Sequence, residues 1–119
     1  MANMLEIGFY LTWEGKSPVR EYLDSLDAKQ ATKVLWTLAA MKAIHPSPSV
    51  YLQKMTATDD LWEVRVVFAG NIFRLLGWME GSGKLVLAHG FTKKTQKTPP
   101  QEILRAENRK KEHENRKVG

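Results

Sequence analysis

Apolar residues alternate with polar ones at the start of the chain and then recur at helical spacing. The alternation over residues 4–13 predicts a strand, because successive strand side chains point to opposite faces of a sheet. Ser17 stands before Pro18, which is a favoured N-cap followed by a proline suited to the first helical position. Asp27, with Gln30 three residues later, repeats this start signal as a capping box. The N-terminal part therefore predicts one strand and two consecutive helices.

Three closely spaced strands and a last helix are predicted in the second half of the chain. The strands are expected over residues 61–68, 71–79 and 84–91, where apolar residues alternate between short turn sequences. Thr98 and the proline after it predict the start of a basic helix over about 98–116.

The predicted order of elements is β-α-α-β-β-β-α, which is typical of an α+β fold. Residues 51–60 show no clear period and have no predicted element. We expect a mostly antiparallel sheet packed on an N-terminal helical hairpin. A chain of 119 residues is expected to form a single domain over 1–119.

The composition narrows the class of protein. The chain is 43% hydrophobic and 26% charged, as in a soluble globular protein, and it has no cysteine for disulfides, thiolate metal sites or thiol chemistry. It has no apolar run of about 20 residues, which a membrane span requires. Its start lacks the pattern of a signal peptide, so we expect a cytoplasmic protein. Since glycine-rich phosphate loops and histidines at metal-ligand spacing are also missing, we expect neither metal nor cofactor.

The net charge of +5 is concentrated at one end of the chain. Residues 1–92 contain nine Lys or Arg and nine Asp or Glu, whereas residues 93–119 contain nine basic and four acidic residues. A basic excess of this kind is typical of a polyanion-binding protein, and also of a solvated charged helix.

The turns between the last strands predict which basic residues meet across the sheet. A two-residue turn at 69–70 brings Arg65 directly opposite Arg74 on the next strand. A four-residue turn at 80–83 then brings Arg74 opposite His89. Arg65, Arg74 and His89 are therefore predicted to form one row across three strands, on the open face of the sheet.

Facing arginines are unfavourable in a sheet unless something anionic lies between them. Guanidinium groups match phosphate oxygens in a bidentate way, so the row predicts a phosphate site. The alternatives are that Arg65 pairs with Glu63 or another carboxylate, that both arginines extend into water, or that a longer turn removes the row. His89 titrates in the range needed for a general acid or base, although a lone histidine is more often structural.

Further candidate contacts to nucleic acid lie beside this row. Lys93, Lys94 and Lys97 follow the third strand and suit phosphate contacts, or form plain solvated surface. Trp78, on the arginine face, is predicted either to stack on a base or to shield the sheet from water.

Three segments resemble the RelE/ParE toxin superfamily, and most of all its phage-derived, HigB-like branch. They are 61–65 (Leu-Trp-Glu-Val-Arg), 71–76 (Asn-Ile-Phe-Arg-Leu-Leu) and 89–99 (His-Gly-Phe-Thr-Lys-Lys-Thr-Gln-Lys-Thr-Pro). The similarity runs from about Leu5 to Ala106, and the last motif is the most specific.

The resemblance implies a small toxin of a type II toxin–antitoxin pair that cuts mRNA in the ribosomal A site without a metal. It also implies a cognate antitoxin, a helix-turn-helix protein encoded next to it. By position, Arg65 and Arg74 match residues that clamp the scissile phosphate. Lys94, with Lys93, matches a charge-stabilising or acid-donating position, and Lys54 matches a basic residue ahead of the strands.

The chain departs from the better-studied RNases of this superfamily because it has no tyrosine after Thr98. The general acid and base are therefore left open. Two other functions also remain open: a toxin that binds a protein target such as gyrase, and an RNA-binding module without catalysis.

Overall fold

Three helices and a five-stranded sheet confirm the predicted α+β class. The computed structural model describes residues 5–44, 51–81, 83–93 and 97–118. The elements are β1 Glu6–Phe9, α1 Pro18–Asp24, α2 Ala28–Ala43, β2 Leu52–Lys54, β3 Leu61–Phe68, β4 Asn71–Glu80, β5 Lys84–Lys93 and α3 Pro100–Val118. The predicted order lacked β2, which lies in the segment that had no assigned element.

The sheet is mixed, with the strand order β1-β5-β4-β3-β2. β1 runs parallel to β5, and every other neighbouring pair is antiparallel. The short edge strand β2 pairs only with the first half of β3, through Leu52 opposite Val64 and Lys54 opposite Trp62.

The first two helices begin where the capping signals predict. The Ser17 hydroxyl accepts a hydrogen bond from the Arg20 amide at 3.1 Å. Asp27 and Gln30 form a complete capping box, with bonds of 2.8 and 3.3 Å. Both helices pack on one face of the sheet, as predicted for the apolar alternation of β3 and β4. This core includes Val19, Leu23, Val34, Leu38, Met41, Val64, Val66, Phe73, Leu75, Leu85 and Leu87.

The opposite face of the sheet is covered by α3, and the prediction that this face is open is wrong. A second cluster there contains Tyr10, Leu61, Leu76, Trp78, Val86, Ala88, Phe91 and Ala106, of which Ala106 belongs to α3. Over the described ranges, none of the helices combines the length and apolar character that a membrane span requires.

The start of α3 lies slightly later than the capping pattern predicts. Pro100, not Pro99, is the first helical residue, and the Pro99 carbonyl accepts a hydrogen bond from the Glu102 amide at 3.0 Å. Thr98 therefore lies outside the helix, and its hydroxyl is used elsewhere.

Candidate nucleic-acid interface

The two arginines of the central strands face each other as predicted. Arg65 on β3 pairs with Arg74 on β4, which confirms the two-residue turn at 69–70. Directly paired residues share a face, so both side chains lie on the side of the sheet that carries α3. Arg65 is partly exposed, whereas Arg74 is only 1% exposed.

A carboxylate and a hydroxyl surround the buried guanidinium of Arg74. Arg74 Nη1 donates a hydrogen bond to Thr98 Oγ1 at 2.8 Å, and Thr98 Oγ1 donates to Glu63 Oε2 at 2.9 Å. Arg74 Nη1 lies 3.6 Å from the same Glu63 oxygen. Burial lowers the pKa of Arg74; Glu63 counters this effect and Arg65 adds to it. Glu63 therefore provides a carboxylate beside the buried member of the arginine pair.

The predicted row of Arg65, Arg74 and His89 is wrong at its third member. Arg74 pairs with Phe91, and His89 pairs with Leu76, two pairs further along β4. The turn is one residue shorter than predicted, since Glu80 pairs with Lys84, and a β-bulge between Leu76 and Gly77 shifts the register again.

The backbone of β5 approaches residue 77 so closely that only a residue without a side chain fits there, and glycine meets this requirement. A Cβ at this position would lie 1.9 Å from the carbonyl oxygen of Val86. Bulges of this kind change which strand residues share a row.

His89 is buried and ties α3 to the sheet. Its Nε2 lies 2.8 Å from Glu102 Oε1, and its Nδ1 lies 3.1 Å from Arg109 Nη1, which also donates to the Ala88 carbonyl at 2.7 Å. A guanidinium can only donate, so Nδ1 accepts and the ring is neutral, with its Nε2–H directed to Glu102. Burial lowers the pKa of His89, and Arg109 adds to this while Glu102 opposes it. Both ring nitrogens are therefore engaged by groups of the protein.

Trp78 also lies under α3 and not on an open face. It is 2% exposed, and its ring centroid lies 6.3 Å from that of Tyr10 and 5.4 Å from that of His113. Trp78 was predicted either to stack on a base or to shield the sheet from water, and its burial corresponds to the second role.

A cleft beside the start of α3 brings two of the predicted lysines together. Its volume is about 420 Å³, and exposed Lys54 and Lys97 line it from β2 and from the segment before α3. The remaining lining residues are Gln53, Met55, Thr56, Glu63, Thr98 and Ile103. Lys54 Nζ lies 3.3 Å from Asp60 Oδ1, but both side chains are more than half exposed, so this ion pair contributes little. The cleft is rimmed by lysines and contains the Glu63–Thr98 pair that contacts Arg74.

The other predicted lysines lie apart from this cleft or outside the described residues. Lys93 is exposed and pairs with Ile72, two pairs beyond the row of Arg65 and Arg74 and therefore on the same face. Lys94 lies outside the described residues.

Sequence reasoning missed the roles of Glu63 and Thr98. Glu63 precedes Arg65 by two residues, so strand alternation alone puts it on the arginine face, where a partner for Arg74 could have been sought. Thr98 had no such signal, because it comes after the last strand and its place depends on how α3 docks.

A comparison with protein families gives a match over residues 21–111 to the family described as Phage derived protein Gp49-like (DUF891). The chain belongs to this Gp49-like family of phage-derived proteins, which is associated with RelE-like toxins. Its α+β structure, with a five-stranded mixed sheet and three helices, is consistent with a RelE-like fold. A search of curated proteins finds no match.

Proposed function

We propose that this chain is the toxin of a type II toxin–antitoxin pair, of the HigB-like kind, and that it cuts mRNA on the ribosome. The family match supports a phage-derived, toxin-like protein. The observation that carries the proposal further is the cleft at the start of α3. There Lys54 and Lys97 rim a site that contains the Glu63 carboxylate, with the buried charge of Arg74 behind it.

The lysines suit the backbone of a single RNA strand. Lysine ammonium groups at the rim of a cleft attract phosphates over a long range and bind them as point charges. Lys93, exposed further along the same face, extends this charge, and Lys94 follows it in the sequence. Arg65, in the row between Lys93 and the cleft, supplies a guanidinium fork for a phosphate.

The proposed reaction is transfer of the phosphodiester within the RNA chain. The ribose 2′-oxygen loses its proton and forms a bond to the adjacent phosphorus, and the bond from phosphorus to the 5′-oxygen breaks. The leaving oxygen takes up a proton, which gives a 2′,3′-cyclic phosphate and a 5′-hydroxyl. Positive groups directed at the phosphate oxygens stabilise the charge that develops on them.

Glu63 is the one acidic side chain among the described residues that line the cleft. In this proposal Glu63 accepts the 2′ proton, and a lysine supplies the proton to the 5′-oxygen. Arg74 and Thr98 hold the Glu63 carboxylate in position. His89 has no part in the proton transfers, because Glu102 and Arg109 occupy its nitrogens.

The proposed partners are the ribosome with its mRNA and a cognate antitoxin. The antitoxin is proposed as a helix-turn-helix protein encoded beside this chain, on the strength of the family resemblance. An acidic segment in the antitoxin would be attracted to the lysines of the cleft and would associate quickly.

Inducing the protein in bacteria and mapping the 5′ ends of transcripts tests the proposal. We expect growth arrest and new 5′ ends inside translated codons. Lys54→Ala with Lys97→Ala should reduce both, whereas Lys42→Ala, an exposed lysine on α2, should change neither. Growth arrest with intact transcripts and DNA damage would contradict the proposal and favour a gyrase-type target.

A further inference from the structure

The outer side of α2 carries an apolar groove that plays no part in the proposed RNA site. Trp36 is 56% exposed and stands beside Phe68 at the end of β3. The groove has a volume of about 440 Å³ and is lined by Ala28, Lys29, Thr32, Lys33, Trp36 and Phe68. An exposed tryptophan in such a groove is typical of a surface that binds another protein, since tryptophan is enriched among the residues that dominate binding energy.

Two lysines, Lys29 and Lys33, give this groove a positive charge. Lys29 and Lys33 lie one helical turn apart, a spacing at which like charges repel each other. Over the described residues neither lysine has an acidic partner, although Lys33 Nζ lies 4.7 Å from the ring centroid of Trp36. A carboxylate from outside would relieve the repulsion and complete the pairing.

We infer that this groove binds an acidic amphipathic helix of a partner protein. The lining runs from Ala28 to Trp36, about 12 Å along the helix axis, which matches two to three turns of a bound helix. Two carboxylates spaced by four residues on the partner would pair with Lys29 and Lys33. An aromatic or aliphatic side chain on the same face of the partner would insert between Trp36 and Phe68.

The position of the groove separates it from the RNA site. The groove lies on α2 and at the end of β3, whereas the cleft lies at the β2 edge of the sheet, beside the start of α3, and the two share no lining residue. A partner bound to the groove should therefore leave RNA binding unchanged. The inference does not depend on the proposed function, because the groove is defined without reference to RNA.

Titration of the full chain with a designed peptide tests the inference. The probe is a synthetic helix of about four turns, with leucine and phenylalanine on one face and glutamates four residues apart beside them. We expect saturable binding by calorimetry, and binding about tenfold weaker for Trp36→Ala and for the double variant Lys29→Glu with Lys33→Glu. Leu35→Ala is the matched control, since Leu35 is half exposed on α2 but does not line the groove.

Several results would overturn the inference. One is that the wild-type chain, shown by circular dichroism to be folded, does not bind the acidic peptide at millimolar concentration. Another is equal binding of a peptide that has lysine in place of each glutamate. A third is a shift from dimer to monomer in Trp36→Ala by sedimentation, which would make the groove an interface between copies. If the wild-type chain does not cleave RNA, the peptide-binding measurements keep their meaning, so the two proposals can fail separately.

Discussion

At the scale of single residues, Glu63 balances the charge of the buried arginine. The Arg74 side chain is almost fully enclosed. Among the described residues, Glu63 places its carboxylate beside this guanidinium, with Oε2 3.6 Å from Arg74 Nη1. Removing a carboxylate from beside a buried charge is costly, because the protein interior solvates that charge poorly. The same carboxylate is the proposed proton acceptor, so Glu63 contributes both to the stability of the fold and to the proposed reaction.

Replacing Glu63 should therefore destabilise the fold. We expect Glu63→Ala to lower the free energy of unfolding by about 3–5 kcal/mol, since it leaves Arg74 buried without this carboxylate. Glu63→Gln keeps an oxygen that can accept from Thr98 and should cost less. Urea unfolding followed by circular dichroism measures both. A loss below about 1 kcal/mol in Glu63→Ala would show that the Arg74 pair contributes little to stability.

At the scale of elements, α3 is held to the sheet largely by polar contacts. His89 lies at the centre of these, between Glu102 and Arg109. Ala106 supplies the fully buried apolar contact of the helix, and most of its other residues are charged. The docking of α3 should therefore respond to the protonation state of His89.

The pKa shift of His89 predicts how stability changes with pH. Burial puts its folded pKa below that of a histidine in the unfolded chain, about 6.5. As the pH falls through 6.5, the unfolded chain takes up the proton first, so the free energy of unfolding decreases until the folded pKa is reached. The slope should approach about 1.4 kcal/mol per pH unit.

Unfolding measured between pH 7.5 and 5.5 tests this slope in the wild type and two variants. His89→Gln should remove most of it, whereas Lys42→Ala, a change at an exposed lysine on α2, should retain it. A wild-type stability that does not change over this range, or that rises as the pH falls, would contradict the burial of a neutral His89.

The elements that depend on local signals were predictable from the sequence. Ser17 and Asp27 cap their helices through bonds to residues three positions away, so the pattern predicts both helix starts. The turn at 69–70 fixed the pairing of Arg65 with Arg74. β2 was missed, because a strand of three residues has too little alternation to be distinguished from a loop.

The parts that depend on long-range packing were not predictable. At the bulge the Val86 carbonyl approaches Gly77 across the sheet, and this bulge together with the shorter turn moved His89 out of the arginine row. The covering of Trp78 depends on how the charged helix α3 docks. As a result, two predicted site residues, Trp78 and His89, lie beneath a helix.

At the scale of the whole molecule, the two faces of the sheet serve different purposes. The face that carries α1 and α2 contains the larger apolar core, and the other face is covered by α3, with the lysine-rimmed cleft at the β2 edge of the sheet. The basic excess of residues 93–119 is thus divided between α3 and the segment that borders the cleft. This division predicts that only part of the basic charge contacts RNA.

The salt dependence of RNA binding measures how many phosphates the cleft contacts. Each phosphate contact to a single strand contributes about 0.7 to the slope of log K against log salt. Lys54→Ala with Lys97→Ala should therefore lower this slope by about 1.4, measured by fluorescence anisotropy with a labelled oligoribonucleotide. Lys42→Ala should leave it unchanged, and an unchanged slope in the double variant would exclude the cleft as the binding site.

The most direct test is cleavage of ribosome-bound mRNA by the purified chain. We expect 5′-hydroxyl and 2′,3′-cyclic phosphate ends within codons in the A site. Arg65→Ala, a change at a partly exposed side chain, should slow cleavage at least about tenfold while the fold is retained. Messenger RNA that stays intact with the wild-type chain would contradict the proposed activity.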